Sequence, residues 1–445
     1  MIRHSSLQAA IFAVATSATL GLVGCGMGVA TPSTNKAPAT VAAAAARGIV
    51  MGGQQPVAGV TLQLYQAGTT GYGLAAIPLG PTAQTNAGGN FNLPSYSCTA
   101  GSQVYLVGTG GQPITGVTNN NLALMAGLGT CGGTYLNNFI DVNELTTVAT
   151  VWALAPFMTG FANIGSSSTN TTGLANAFAA INELVATANG TTPGPILPTG
   201  ATLPTTEINT LGDILEQCIN SSGGVAGDGS NCGNLFQLEP NAAGTVYPTD
   251  TITAAMNIAQ NPGRNVAALN RLRSSSPVFQ PALDVNSPPN AWTIAITYIG
   301  GGLSTPSSIA TDAAGAVWVS NQGNSSVTKL DPTGAALSGS SGFIAGGFSA
   351  PSAIAIDSGG NAWVANSANN SVTRLNSAGT TDSVFTGNGL NSPESIAIDG
   401  SGNIWVANAG SSTVSAFTGS GSGLAGSPYS GAGTSAPVSI AITPK

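Results

Sequence analysis

One phrase occurs four times in the C-terminal part of this chain. Residues 306–330 read PSSIATDAAGAVWVSNQGNSSVTKL, 351–375 read PSAIAIDSGGNAWVANSANNSVTRL, and 393–417 read PESIAIDGSGNIWVANAGSSTVSAF. A fourth opening, PVSIAITPK, starts at Pro437. Pro306, Pro351, Pro393 and Pro437 are therefore 45, 42 and 44 residues apart. A period in the forties marks one small unit of several short strands, which buries its faces only by stacking on its neighbours. Each full copy carries a turn: Asp312, Asp357 and Asp399 stand three residues before Gly315, Gly360 and Gly402. Asp opens such a turn by bonding its own backbone, and Gly closes it at positive φ. Trp318, Trp363 and Trp405 follow six residues after each Asp, where a large ring fills the wedge between units. Ile309, Ile354 and Ile396 take the inward alternation of the first strand. The functional alternative has the three carboxylates converging on a channel to hold a cation.

The order Pro-x-x-Ile-Ala, Asp-x-x-Gly, Trp-Val to Asn, then Ser/Thr-Val resembles the NHL repeat and the related streptogramin-lyase-like propellers. The resemblance covers residues 285–445 and implies an NHL-like β-propeller with three full repeats. AWTIAITYIGGG (291–302) reads as the outer end of an earlier blade, sharing one partial blade with the final PVSIAITPK. NHL propellers usually have more blades. Either the ring is small and closed, or it is an open arc whose edge invites self-association with another chain. Streptogramin-lyase chemistry, as that resemblance implies it, uses histidine beside a divalent metal.

The N-terminus predicts export. Arg3 and His4 precede an apolar run, LQAAIFAVATSATLGL, that is too short for a stable membrane span. Leu22-Val23-Gly24-Cys25 follows and resembles the bacterial lipoprotein lipobox. By that resemblance Cys25 carries lipid and begins the mature chain; Gly26 rather than Asp after it favours the outer membrane. The alternative is an ordinary secretory signal. Residues 26–46, rich in Ala, Pro and Thr, read as a flexible tether. Losing Arg3 takes the formal net charge from −7 to −8, and losing His4 removes the one histidine. Histidine is the usual neutral-pH base and a common metal ligand. Ser-His, Cys-His and His-metal sites are thereby excluded from the mature chain. Only 6% of residues are charged, against about a quarter in ordinary domains, which suits an exported protein.

Four further cysteines, Cys98, Cys131, Cys218 and Cys232, allow three pairings. The shortest loops, Cys98–Cys131 and Cys218–Cys232, are expected, the second contributing about 3 kcal/mol by loop entropy. A four-thiolate metal site is the alternative, but no C-x-x-C pair exists.

Residues 47–117 read as β. Val60, Leu62 and Leu64 alternate on one strand face, and a Gly-Gly turn precedes Phe91 and Leu93. Gly48, Val50, Pro56, Val57, Gly59, Leu64, Thr85, Gly88, Gly89, Phe91 and Leu93 together resemble the carboxypeptidase regulatory-like domain, a transthyretin-like β-sandwich. That resemblance implies a spacer or adhesion fold without chemistry.

Residues 118–280 change period. Asp141 with Glu144 resembles a capping box. Helical stripes follow at Leu145/Val148/Trp152/Ala155, Leu174/Phe178/Ile181/Val185, Ile208/Leu211/Leu215/Cys218, Ile252/Met256/Ala259 and Val266/Leu269/Leu272. Each stripe is one face wide and reads as a core face. Glu183, Glu207, Asp213 and Glu216 then fall on polar faces as solvated surface.

Two G-x-G-x-x-G matches, Gly421–Gly426 and Gly127–Gly132, lack a strand–helix context and arise easily among 61 glycines. None of Lys36, Lys329 and Lys445 follows a glycine, and no basic patch exists. The sequence thus predicts a multidomain chain: a small all-β sandwich (47–117), a disulfide-stapled all-α region (118–280) and NHL-like β-propeller repeats (285–445). The expected role is a non-catalytic binding or scaffolding module at the cell envelope, held to the membrane by lipid. Its partner would be a protein or polysaccharide, with no nucleic acid, cofactor, metal or catalytic residue. The alternatives are a streptogramin-lyase-like or carboxylate-dependent lyase or hydrolase, and a passive coat component.

Overall fold

The computed structural model describes residues 39–133, 139–431, 433 and 435–442. Cys25, its lipobox and most of the tether lie outside the described residues.

The first ten strands are β1 (Thr40–Ala43), β2 (Ala46–Gly52), β3 (Gln55–Pro56), β4 (Thr61–Gln66), β5 (Ile77–Gln84), β6 (Asn90–Leu93), β7 (Tyr96–Thr99), β8 (Gln103–Thr109), β9 (Ala123–Thr130) and β10 (Phe139–Val142). They form an antiparallel sheet in the order β5-β4-β8-β9 and a second sheet in which β2 pairs β10, β3 and β6. β1 pairs β7, with Val41 opposite Cys98. The tether's expected end at 46 is therefore corrected, because 40–43 find a free strand edge.

The helices are α1 (Glu144–Leu154), α2 (Thr171–Leu184), α3 (Thr205–Ile219), α4 (Asn231–Leu238), α5 (Thr251–Gln260) and α6 (Val266–Asn270); the short strands β11 (Met158–Gly160) and β12 (Asn163–Ile164) fall between the first two. One hydrophobic core runs from Ala43 to Trp292 through both sheets and the helices. It does not divide at residue 117, since β9 and β10 come later in the chain and complete the two sheets.

α1 is capped by Asn143, not Asp141. The Asn143 side chain accepts from Thr146 N at 3.0 Å, and Thr146 Oγ1 accepts from Asn143 N at 2.9 Å. Threonines dock the helices on the outer edge of β9. Thr147 and Thr150 accept from Met125 N and Gly127 N at 2.9 Å each, and Thr251 accepts from Ala123 N at 2.9 Å. Three alternate amides of an otherwise open edge are satisfied this way.

Both disulfides form with the expected partners. Cys98–Cys131 joins β7 to the end of β9, so only Cys218–Cys232, between α3 and α4, staples helices. Among the described residues no helix is long and apolar enough to cross a membrane.

The repeats give three small antiparallel sheets. The first is β13 (Pro306–Thr311), β14 (Val317–Asn321) and β15 (Ser326–Leu330). The second is β16 (Pro351–Ile356), β17 (Ala362–Asn366), β18 (Ser371–Leu375) and β19 (Thr381–Thr386). The third is β20 (Pro393–Ile398), β21 (Ile404–Asn408) and β22 (Thr413–Phe417). Among the described residues they do not close into a ring.

The shared partial blade is not formed. Residues 291–297 turn away to the first core, where Trp292 is fully buried and its carbonyl accepts from Trp152 Nε1 at 3.0 Å. The carbonyls of Gly301 and Gly302 reach the first blade, accepting from Thr328 Oγ1 at 2.7 Å and Asn324 Nδ2 at 2.9 Å. Thr297 pairs with Thr202 instead of a blade strand. A tryptophan gains more in that large core than at an arc end.

Candidate functional site

The three Asp-x-x-Gly turns sit at the ends of β13, β16 and β20, with Gly315, Gly360 and Gly402 at φ +84, +77 and +78. Each Asp does more than open its turn. Its Oδ1 accepts from the backbone N–H groups two and four residues on, at 2.9–3.0 Å. Its Oδ2 accepts from the indole six residues on: Trp318 Nε1 at 3.1 Å, Trp363 Nε1 at 2.9 Å and Trp405 Nε1 at 2.9 Å. The hydrogen bond from the Trp405 indole, with those from Asn403, holds the Asp399 carboxyl below the ordinary range. Burial pushes Asp312 and Asp357 up, but the indole and turn bonds together outweigh it. The three carboxylates are spent on three separate turns.

Two cations clamp successive blades. Lys329 lies 4.4 Å from the Trp318 ring centre and donates to Ser377 O of the next blade at 2.7 Å. Arg374 lies over Trp363, pairs with Asp382, and donates to Gly419 O at 2.7 Å. The asparagines that end β14, β17 and β21 are buried. Asn321, Asn366 and Asn408 donate to Thr328, Thr373 and Ser415 hydroxyls at 2.9–3.0 Å. These amides work inside the blades and do not face a ligand.

Alternation gives every blade two faces. The tryptophan face of the first blade (Ala310, Trp318, Val327) packs on the isoleucine face of the second (Ile354, Ala362, Val364, Leu375). The tryptophan face of the second (Ala353, Trp363, Ala365, Val372) packs on the isoleucine face of the third (Ile396, Ile404, Val406, Phe417). Serines mark the same handover: Ser307 Oγ donates to Pro351 O, and Ser352 Oγ to Pro393 O, both at 2.6 Å.

The two ends of this arc differ from its middle. Ile354 and Ile396 are 5% and 8% exposed, but Ile309 is 66% exposed. The inward placement expected of Ile309 is thus corrected: no blade stands in front of it. A groove of about 570 Å³ opens there, its lining including Leu303, Ile309, Val319 and Leu330 together with Tyr298 and the charged Asp331. At the other end, Ile440 N donates to Ser395 Oγ at 3.2 Å, much as Ile354 N donates to Ser308 Oγ at 3.4 Å. The fourth phrase therefore lies where a fourth blade's first strand belongs, without strand partners. Trp405, with only this phrase and the stacked ring of Tyr429 beside it, stays half-buried, whereas Trp318 and Trp363 are fully buried.

The helical region holds carboxylates that the stripe pattern misplaces. Glu183 and Asp213 are buried and Glu207 and Glu216 half-buried, a correction to the solvated surface expected of them. Asp213 Oδ1 accepts from Val278 N and Phe279 N at 2.8 and 2.9 Å; Glu183 Oε2 accepts from Tyr298 Oη at 2.6 Å. Glu144 is fully buried, with Oε1 accepting from Gly53 N at 2.8 Å. Burial pushes Asp213 up to about 6, Glu183 and Asp141 to about 7, and Glu144 and Glu239 to about 8. Among the described residues no three acidic, cysteine or histidine side chains form a metal cage. A second hollow, about 430 Å³ between β9 and α2, has no titratable side chain in its lining. Of the G-x-G-x-x-G matches, Gly127–Gly132 lies on β9 and at its disulfide end, and Gly421–Gly426 in the turns after β22.

No protein-family model and no curated protein matches this chain. Among solved structures it is similar to a streptogramin B lyase (18% identity, TM-score 0.29, 32% of this chain and 46% of that one). It is similar to virginiamycin B lyase from Staphylococcus aureus in complex with quinupristin (18%, 0.29, 32% and 47%). It is also similar to Kuenenia stuttgartiensis hydrazine synthase (22%, 0.26, 32% and 40%). These likenesses to β-propeller proteins are weak, and the chain spans under half the length of each.

Proposed function

We propose that this chain is an exported, lipid-anchored cell-envelope protein that binds or scaffolds without catalysis, and that the isoleucine face of its first blade is the contact surface. The observation that carries the reading is the 66% exposure of Ile309, beside 5% and 8% at the equivalent isoleucines. An apolar face that is buried twice within the chain and left open once is a surface made for packing. Carboxylate catalysis would need two acids free to act on one bond. Asp312, Asp357 and Asp399 are each held by an indole and two turn amides, which supports a structural use.

The test is co-sedimentation with a bacterial envelope fraction, using the full chain with Cys25→Ser so that lipid cannot retain it. Retention that Ile309→Asp abolishes supports the reading. Retention unchanged by Ile309→Asp, or none in either protein, overturns the first blade as the contact surface. Labelled palmitate entering the wild type but not Cys25→Ser checks the anchor separately.

A further inference from the structure

The open face has a complement within the chain itself. Both internal junctions lay a tryptophan face on an isoleucine face, with first strands side by side. At the C-terminal end the fourth phrase, residues 437–442, rests its own isoleucine side on the third blade. Its opposite side, the tryptophan-face side, is uncovered: Val438 is 72% exposed, and Ser439 and Ala441 are exposed. Among the described residues the arc thus begins with an uncovered isoleucine face, while its fourth phrase leaves Val438, Ser439 and Ala441 uncovered, at the positions that flank the ring on a tryptophan face.

The end strand is not dressed for water. Position 438 corresponds to Ser307, Ser352 and Glu394 in the earlier copies, and here it is Val. Natural sheets protect exposed ends with lysine, proline or inward charges, and of these devices the two segments carry only their leading prolines, Pro306 and Pro437. Neither PSSIAT (306–311) nor PVSIAI (437–442) holds a charged residue, although the chain carries 16 acidic and nine basic side chains. Two copies of a chain with net charge −7 can therefore bring these ends together without acid meeting acid.

We propose that the first blade's isoleucine face receives the fourth phrase of a second copy of this chain, continuing the blade-to-blade interface from one molecule into the next. The contact is heterologous, so it closes into a small ring where the rotation permits and runs on as a filament where it does not. Residues 437–442 of one copy lie beside residues 306–311 of the other, as 306–311 lie beside 351–356 within each. This inference rests on the contact surface proposed above and names its occupant.

The test uses the full chain in a Cys25→Ser background with a short bismaleimide. Ile309→Cys and Val438→Cys are made separately; both sites are exposed, and the native cysteines are bonded. Adducts of two or more chains in the mixture, and in neither variant alone, are expected. Thr311 is exposed two residues from Ile309 on the same strand face, so Thr311→Cys should also couple to Val438→Cys, and adding Ile309→Asp to the Thr311→Cys chain should lower that yield by about tenfold or more. Adducts from either single variant by itself would mean like ends meet and would overturn the head-to-tail contact. A monomer-sized, thiol-depleted product from a chain that carries both Ile309→Cys and Val438→Cys would mean that each arc closes on itself, and would overturn it too. Monomers throughout, with envelope retention still dependent on Ile309, would reject the second copy while keeping the contact surface; loss of both would reject the surface as well.

Discussion

Ile309, Ile354 and Ile396 form an internal experiment, because one substitution can be made three times in one local sequence. Ile→Ala removes three side-chain carbons, each worth about 0.8 kcal/mol when buried, or about 2.4 kcal/mol in all. At Ile354 and Ile396, only 5% and 8% exposed, a cavity term adds to this, giving about 3–4 kcal/mol within the range for core truncations. At Ile309, 66% exposed, about one third of the transfer term is at stake and water fills the space. The cost there should stay under about 1 kcal/mol. The assay is native-state hydrogen exchange on peptides covering β14, β17 and β21, which reads each blade's opening separately where global unfolding need not be two-state. Ile354→Ala and Ile396→Ala should speed exchange in the blades flanking each site, and Ile309→Ala should hardly change it in dilute solution. Equal costs at all three sites in dilute protein would refute the open arc. A cost at Ile309 that appears only at high protein concentration is the signature of a second copy.

Asp357→Asn replaces an acceptor by a donor that faces Trp363 Nε1 and Asn361 Nδ2. The two charge-assisted bonds lost from a partly exposed site predict about 1–3 kcal/mol of destabilisation, seen as faster exchange in β17; no change would remove the indole bond from the account. Serine replacement of Cys98/Cys131, separated by 33 residues, should cost about 3.7 kcal/mol, and of Cys218/Cys232, separated by 14, about 3 kcal/mol; thermal melts of the two double variants check the order. The two regions should respond oppositely to pH. Glu144, Glu183 and Glu239 have folded pKa values raised by burial, so their region is most stable below the unfolded value near 4.5 and loses stability as pH rises toward 7–8. Asp312, Asp357 and Asp399 are lowered, so the blades keep their stability above the usual Asp range and lose it as pH falls through it. Exchange profiles from about pH 2.5 to 8, corrected for intrinsic rates, should diverge in this sense, and Glu144→Gln should flatten part of the slope in the helical region.

What was legible in the sequence is whatever depends on local spacing. Asp and Gly three apart gave the turns, and the helical stripes marked buried residues such as Phe178, Ile181, Leu211 and Leu215. The nearest cysteines paired. What was not legible depends on which partner a segment meets. The phrase TIAIT at 293–297 reads like a blade strand, yet Trp292 beside it is claimed by a larger core. The stripe on α1 looked one face wide because its threonines were counted as polar. Thr146, Thr147 and Thr150 are fully buried, since their hydroxyls bond the Asn143 cap or the edge of β9. The same error put Glu183 and Asp213 in water. The indole–carboxylate bond was missed although its register was readable: Trp318 opposes Ala310, two residues before Asp312, so folding the hairpin brings ring and carboxyl together.

The treatment of strand edges within this one chain gives the open arc its meaning. β9 has its outer amides taken by threonines of α1 and α5. β5, the opposite edge of that sheet, carries Pro78 and Pro81, which cannot extend a ladder. The cationic clamps Lys329 and Arg374 each reach forward to the next blade and leave no bare charge between blades. Against that background the first strand of the first blade and the fourth phrase stand apart, because neither carries a charge and each leaves an aliphatic side chain, Ile309 or Val438, uncovered. The repeated phrase therefore builds the stack: at the internal junctions the isoleucines equivalent to Ile309 meet a tryptophan ring and the small residues beside it. On the head-to-tail contact proposed above, residues 437–442 of a second copy would bring Val438, Ser439 and Ala441 to that face.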